Sequence, residues 1–290
     1  MGAVRASAIL TGFFALTVPL MPVQAVLVRL SPKAARRFPH WYHRQVCRVM
    51  GIKLTIEGEV VRDTPVLLVC NHTSWLDIPV LSAVAPLSFV AKKEVGGWPF
   101  VSSLARLQRT VFVDRNRRQS AGDAADEISQ RLRNGDTIVL FAEGTSSDGN
   151  RVLPLKTSLF GAVKGEGPAD SHVVVQTAAI IYTHLHGIPL LRADRPRVGW
   201  YGDMEMQSHA WGVLKAGPLE VTIRIGSPVP LDSFTGRKDL ALTSERAVRK
   251  AVLGVLRGRL ATDDIQPVEP DEMRRRQRLS TATISNEKWT

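Results

Sequence analysis

The chain has 290 residues, 44% of them hydrophobic, and a net charge of +11, which is enough for one large α/β domain or two small ones. That charge suits an anionic partner, either nucleic acid or a membrane surface. Aromatic residues make up only 6% of the chain, and it carries no RNA-binding aromatic motif, zinc-finger spacing or glycine-rich phosphate loop, which argues against nucleic acid.

The first element is "SAILTGFFALTVPLMPVQAVLV", Ser7 to Val28, without one charged residue. It is long enough to enter or cross a bilayer. Pro19 and Pro22 are expected to kink or break it, which leaves two readings open, a single span and a re-entrant helical hairpin. No small-residue cleavage site follows a short apolar core, so a signal peptide is set aside. The next stretch is basic (Lys33, Arg36, Arg37, Arg44, Arg48) and carries Phe38, Trp41 and Tyr42. That combination favours the cytoplasmic face of a membrane interface.

Beyond it, "IKLTIEGEV" alternates as a strand, and "TPVLLVC" reads as a buried strand opened by Pro65. "WLDIPVLSAV" reads as a helix with Thr73 or Ser74 as its N-cap. "LSFVAKKEV" is a strand, "GGWPFVSSLARL" a turn and short helix, and "TVFVDR" a strand. Ser120 to Arg133 has helical spacing, and "TIVLFAEG" is a strand running into Gly144. "VLPLKTSLFGAVKG" is a short helical region, "HVVVQTAAIIY" and "LEVTIRIGSPV" are strands, and Glu245 to Leu260 is helical. Residues from about 262 on are polar without an apolar period and read as a loose tail. The expected organisation is an apolar membrane-embedded segment at 1–30, a basic interfacial segment at 31–58, a catalytic domain at 59–261 and a flexible tail at 262–290. Strands alternating with helices imply an α/β fold, a mixed, mostly parallel sheet flanked by helices. Ligands of such sheets sit at the carboxyl ends of strands, and His72, Asp114, Arg115 and Glu143 all fall at predicted strand ends.

His72 and Asp77 are five positions apart. On a regular helix they would lie roughly 140° apart and could not meet. For contact, His72 must precede the helix and Asp77 must open it. Asp77 could then accept from one ring nitrogen and leave the other as a base for an attacking alcohol. "LFAEGTSSDGN" puts Glu143, Gly144 and the Thr145 hydroxyl straight after a buried strand, in a turn with backbone donors for an oxyanion or polar head group. In "VFVDR", Arg115 can make a bidentate contact with phosphate or carboxylate. Taken singly, each has a bland counterpart: a helix-start charge, a solvated loop carboxylate and a surface ion pair with Asp114. The two cysteines, Cys47 and Cys70, form neither a metal spacing nor a disulfide framework.

Together these blocks resemble the glycerolipid acyltransferase family, whose type member is 1-acylglycerol-3-phosphate acyltransferase. "NHTSWLD" matches that family's Asn-His-x-x-x-x-Asp block in full, and "VFVDR" matches its second, with Arg109 where a glycine is usual. "FAEGTSS" departs from Phe-Pro-Glu-Gly-Thr-Arg-Ser at Ala142 and Ser146, and Thr177 stands where a fourth-block proline is usual. The ordered blocks cover about residues 60 to 185. The resemblance implies His72 as general base, Asp77 as its orienting partner, and acceptor binding by Arg115, Glu143, Gly144 and Thr145. It also implies direct attack on a thioester of acyl carrier protein or coenzyme A, without an acyl-enzyme, a metal or another cofactor. The expected place is a bacterial inner membrane, with the catalytic domain on the cytoplasmic side.

Ser146 removes the arginine that helps hold the acceptor's phosphate in phosphatidic-acid-forming members. "EGTSSDGNRVLP" and the stretch from His186 to Val229 resemble the subgroup that acylates lyso-ornithine lipid, whose head group carries no phosphate. That subgroup is the expected one. Lysophosphatidic acid as acceptor, and a non-catalytic membrane-binding protein that kept the fold, are the alternatives.

Overall fold

The structure, a computed structural model, describes residues 1–114, 118–162 and 173–258. Arg115 and the expected tail at 262–290 lie outside the described residues.

The chain opens with two long helices, α1 (Gly2–Leu30) and α2 (Pro32–Met50), packed as an antiparallel pair. The expected break at the prolines does not occur, because α1 runs unbroken through Pro19 and Pro22. Each proline removes one intrahelical donor, and a long helix packed against its neighbours absorbs that local loss. The turn into α2 is closed by Ser31, whose hydroxyl accepts from Ala34 N–H, with Pro32 at the first helical position. On α2, Lys33, Arg37, Trp41, Arg44 and Arg48 recur at three- and four-residue steps and share the exposed face, while Ala35, Pro39, Val46, Cys47 and Met50 are buried. Gly51 ends the helix at φ 73°, in the left-handed region that glycine tolerates.

The strands are β1 (Ile52–Glu57), β2 (Val66–Cys70), β3 (Ser88–Lys92), β4 (Val111–Val113), β5 (Thr137–Phe141), β6 (Val174–Leu185), β7 (Ile188–Pro189), β8 (Leu219–Ile225) and β9 (Val229–Pro230). They form one sheet in the order β1-β8-β6-β2-β5-β3-β4, with β7 and β9 also on β6. Pairing is parallel except where β6 meets β7, β8 and β9. Because β1 pairs along its length with β8, the sheet begins at Ile52, ahead of the boundary at residue 59 expected from composition.

The remaining helices are α3 (Asp77–Ser82), α4 (Val101–Leu107), α5 (Arg118–Arg133), α6 (Met206–Ala216) and α7 (Arg237–Leu256). They fit both faces of the sheet, as β2 makes clear. Val66, Leu68 and Cys70 point into a core shared with α1, α2, α3 and α6, while Leu67 and Val69 point into one shared with α5 and α7. A strand buried on both faces has to be apolar throughout, and "VLLVC" is. Helix α6 has no counterpart among the sequence expectations. Helix α7 starts eight residues ahead of the expected Glu245, with Asp239 reaching back to the Thr235 N–H at 2.9 Å.

Candidate active site

The two central parallel strands decide where the site lies. β2 and β5 run side by side, with Cys70 opposite Phe141, so the turns leaving their carboxyl ends are neighbours. One turn carries His72 and the other carries Glu143 to Ser147. They are joined by a hydrogen bond of 2.8 Å from Ser147 N–H to the His72 carbonyl. The imidazole of His72 stacks on the Phe141 ring, with centroids 4.1 Å apart and planes 19° apart.

Asp77 opens α3 and is fully buried. Its Oδ2 accepts from His72 Nδ1 at 2.8 Å, Thr73 N–H at 2.7 Å and Ser74 N–H at 3.0 Å. Its Oδ1 accepts from the Tyr182 hydroxyl at 2.6 Å. Four donors leave the carboxylate one geometry and repay its burial. The expected cap is therefore reversed: Thr73 and Ser74 do not cap the helix with their side chains, and instead their backbone N–H groups bind the Asp77 carboxylate. With Nδ1 engaged, Nε2 is the ring nitrogen of His72 left to face a substrate. The His72 side chain is 20% exposed and lines the cavity described below.

Tyr182 is the residue that sequence reasoning missed. It sits on β6, which pairs with β2, so a residue 105 positions away in the chain reaches Asp77. Burial, with the adjacent Asp77 charge, pushes its phenol well above the ordinary tyrosine range, so it remains an O–H donor. The only signal in the sequence was a tyrosine at the end of the mostly apolar strand "HVVVQTAAIIY". Asn71 ties the same two strands together, donating to the Ile180 carbonyl at 3.0 Å and accepting from its N–H at 2.8 Å.

Glu143 is not part of the cavity wall. It is 1% exposed, and its two carboxylate oxygens accept from His72 N–H at 3.0 Å and Leu153 N–H at 3.1 Å. Burial pushes its pKa up to about 8, against the pull of those two N–H groups. It holds the His72 backbone from behind. Gly144 (φ 74°) and Thr145 do face the cavity, and Ser146 lines it while donating its hydroxyl to the Trp200 carbonyl. Asp114 pairs with Lys93 at 3.2 Å at the neighbouring strand ends. Arg109, which replaces the usual glycine, has φ 61°. Its strained backbone is held by Arg131, which donates to its carbonyl, and by its own bond to Asp136 at 2.6 Å.

The cavity holds about 860 Å³, at the upper end of the range for small-ligand sites. Its walls are apolar. They come from α1 (Ile9, Phe13, Leu20), α2 (Val46), α4 (Leu104) and α6 (Leu214), with His72 and Ser146 also in the wall. Two polar side chains on α1 fasten this wall. Thr17 shares a 2.7 Å hydrogen bond with the Tyr42 hydroxyl, and Gln24 donates to Ala35 O at 3.0 Å and Leu107 O at 2.8 Å. Near the start of α1, Arg5 donates to Met50 O at 3.0 Å and to Leu214 O, at the carboxyl ends of α2 and α6. Among the described residues no group of three or more His, Cys, Asp or Glu could hold a metal ion.

This fold, with a histidine–carboxylate pair at the end of a central parallel strand, defines a class, and sequence comparison agrees with it. The Acyltransferase family profile matches residues 52–182, and the chain belongs to that family and is an acyltransferase. A lyso-ornithine lipid O-acyltransferase of Brucella abortus is 45% identical over 89% of this chain and 97% of the relative. One of Rhizobium meliloti is 44% identical over 83% of each. A 1-acyl-sn-glycerol-3-phosphate acyltransferase of Neisseria meningitidis is 31% identical over 69% of this chain and 76% of its own length. Among solved structures, the 1-acyl-sn-glycerophosphate acyltransferase PlsC of Thermotoga maritima superimposes with a TM-score of 0.63 at 23% identity, over 90% of this chain and all of that one. The mostly parallel sheet with flanking helices is thus a known acyltransferase architecture.

Proposed function

We propose that this acyltransferase moves a fatty acyl chain from a thioester of acyl carrier protein or coenzyme A to the hydroxyl of lyso-ornithine lipid, with His72 as general base. The observation that carries the reading is the His72–Asp77 bond of 2.8 Å opening onto a mostly apolar cavity of about 860 Å³. Asp77 holds the ring with Nδ1 protonated, so Nε2 takes the acceptor's proton as its oxygen attacks the thioester carbonyl. The tetrahedral intermediate then collapses, the C–S bond breaks, and the proton on Nε2 passes to the departing thiolate. The products are an ester and a free thiol, and His72 returns to its starting state. Gly144 and Thr145 border the acceptor, Glu143 acts through the His72 backbone, and Arg115 is assigned to the acceptor head group by its motif.

The choice of acceptor rests on the names of the relatives and on Ser146. A serine engaged with the Trp200 carbonyl has no fork of donors for a phosphomonoester. Lysophosphatidic acid is the second reading, favoured by Lys92 on the cavity wall.

For the membrane, in place of a re-entrant turn within residues 7–28, a hairpin made of α1 and α2 and embedded in one leaflet is favoured over a span. Helix α1 is long and apolar enough to cross a bilayer, but Arg5 and Gln24 bind the catalytic domain near its two ends. Its outer face, with Phe14, Val18, Val23, Val26 and Leu30, is exposed and apolar, and α2 adds the basic face with Trp41. The inner membrane, with the sheet on the cytoplasmic side, is the proposed location.

The test is an acyl-transfer assay on membranes carrying the protein, with an acyl-carrier-protein thioester and each acceptor offered separately. Turnover of lyso-ornithine lipid is expected. Turnover of lysophosphatidic acid alone overturns the acceptor, and turnover of neither overturns the function.

A further inference from the structure

Trp200 is held on three sides. Its N–H donates to Thr73 O at 2.9 Å, its carbonyl accepts from Ser146, and its indole N–H donates to Met204 O at 2.8 Å. The first two of these bonds anchor it to the turns that carry His72 and Glu143. Trp98 meets it edge to face, with ring centroids 6.0 Å apart and planes 79° apart. Both rings line the cavity that holds His72. Among the described residues, that cavity wall carries one Lys or Arg, Lys92, and one Asp or Glu, Glu94. Both side chains are exposed, and Glu94 lies on the same short helical turn that leads to Trp98.

We infer that Trp98, Trp200 and Glu94 form a subsite for the ammonium group of the acceptor. In the edge-to-face pair the edge of one ring rests on the face of the other, which leaves an aromatic face toward the cavity for an organic cation, and Glu94, on the turn that leads to Trp98, puts a carboxylate on the same wall. Lys92, two residues from Glu94, offers the complementary contact for a carboxylate. Among the described residues, one charge of each sign on the wall matches a zwitterionic head group. A dianionic phosphomonoester would meet a repelling carboxylate in Glu94 there. Ser146 also gains a role, because a small side chain at that position fixes Trp200 by its carbonyl. The inference rests on the proposed acceptor: ornithine keeps a carboxylate and a side-chain ammonium in lyso-ornithine lipid.

The experiment uses the full chain in membranes, an acyl-carrier-protein thioester, and two acceptors: lyso-ornithine lipid and the same lipid acetylated on its side-chain nitrogen. The wild type is expected to favour the charged acceptor by about tenfold in kcat/KM. Trp98→Leu and Glu94→Gln should each bring the ratio of the two kcat/KM values toward one. Glu94 is exposed, so its variant guards against a folding defect in the tryptophan variant. Equal use of both acceptors by the wild type overturns the subsite and leaves the proposed function standing. So does a loss in both variants that slows the two acceptors by the same factor. Failure of the wild type with both ornithine acceptors, alongside turnover of lysophosphatidic acid in a parallel reaction, overturns the acceptor reading and the subsite with it.

Discussion

The His72 turn and the α1 side of the cavity border the same space but are built on opposite terms. In the turn, the two carboxylates and the His72 carbonyl are matched to donors: Asp77 has four, Glu143 has two, and the His72 carbonyl has the Ser147 N–H. Along α1 the contact is apolar, fastened at intervals by Arg5, Thr17 and Gln24. The proposed proton transfer at His72 would need atoms held within tenths of an ångström, and directional bonds supply that. The fatty chain of the proposed reaction would need a dry surface without a preferred register, and side chains such as Phe13 and Leu20 offer one. Rigidity is thus spent on the turn, and the wall is left to adapt.

Substituting residues on each side tests this contrast. The largest effect belongs to His72→Ala, which should lower kcat by about 10³-fold while the protein still pellets with membranes. Loss of membrane association would mean that the turn also supports the hairpin.

Tyr182→Phe removes one donor from Asp77 and leaves the ring volume. Hydrogen bonds to charged groups contribute about 1.5–3 kcal/mol, so kcat should fall roughly tenfold with KM little changed. An unchanged kcat would reduce Tyr182 to a packing residue.

Glu143→Gln tests the support from behind. The folded carboxyl is pushed up to about 8 from an ordinary 4.5. Between those values the folded chain holds a proton that the unfolded chain has lost. The Glu143 contribution is therefore fully present below about 4.5 and is lost as pH rises through about 8. Denaturant titrations of wild type and variant should converge or cross in that direction. A gap independent of pH would show that Glu143 does not change protonation there.

The smallest effect is expected on the wall. Gln24→Leu frees two carbonyls but also removes a buried Oε1 that has no partner among the described residues. A net loss of about 1 kcal/mol, or a few degrees in Tm, should accompany a modest loss of activity. A collapse of the fold would show that the wall depends on its polar fasteners as much as the turn does.

Much of this was legible in the chain itself. A strand buried on both faces must be apolar from end to end, so "VLLVC" announced itself. The five-residue step from His72 to Asp77 required a turn followed by a helix start, and the structure has that geometry. Helix α7 was read eight residues short, because buried Asp239, Thr243 and Ser244 interrupt its apolar period. Helix α6 went unread within a stretch considered only for its resemblance to relatives.

Local order was written in local pattern, because period, caps and turn residues act within a few positions. That pattern gave most of the strand and helix order and the turn that lets His72 and Asp77 meet, and the resemblance of the blocks to a family gave the class of chemistry. Tertiary structure alone decided that Tyr182 completes the Asp77 shell, that Glu143 faces inward to His72 rather than outward to a substrate, and that α1, α2, α4 and α6 enclose one cavity. Each of these depends on which strands and helices become neighbours. Burying apolar faces against partners a hundred residues away sets that adjacency, and no window of sequence contains both partners.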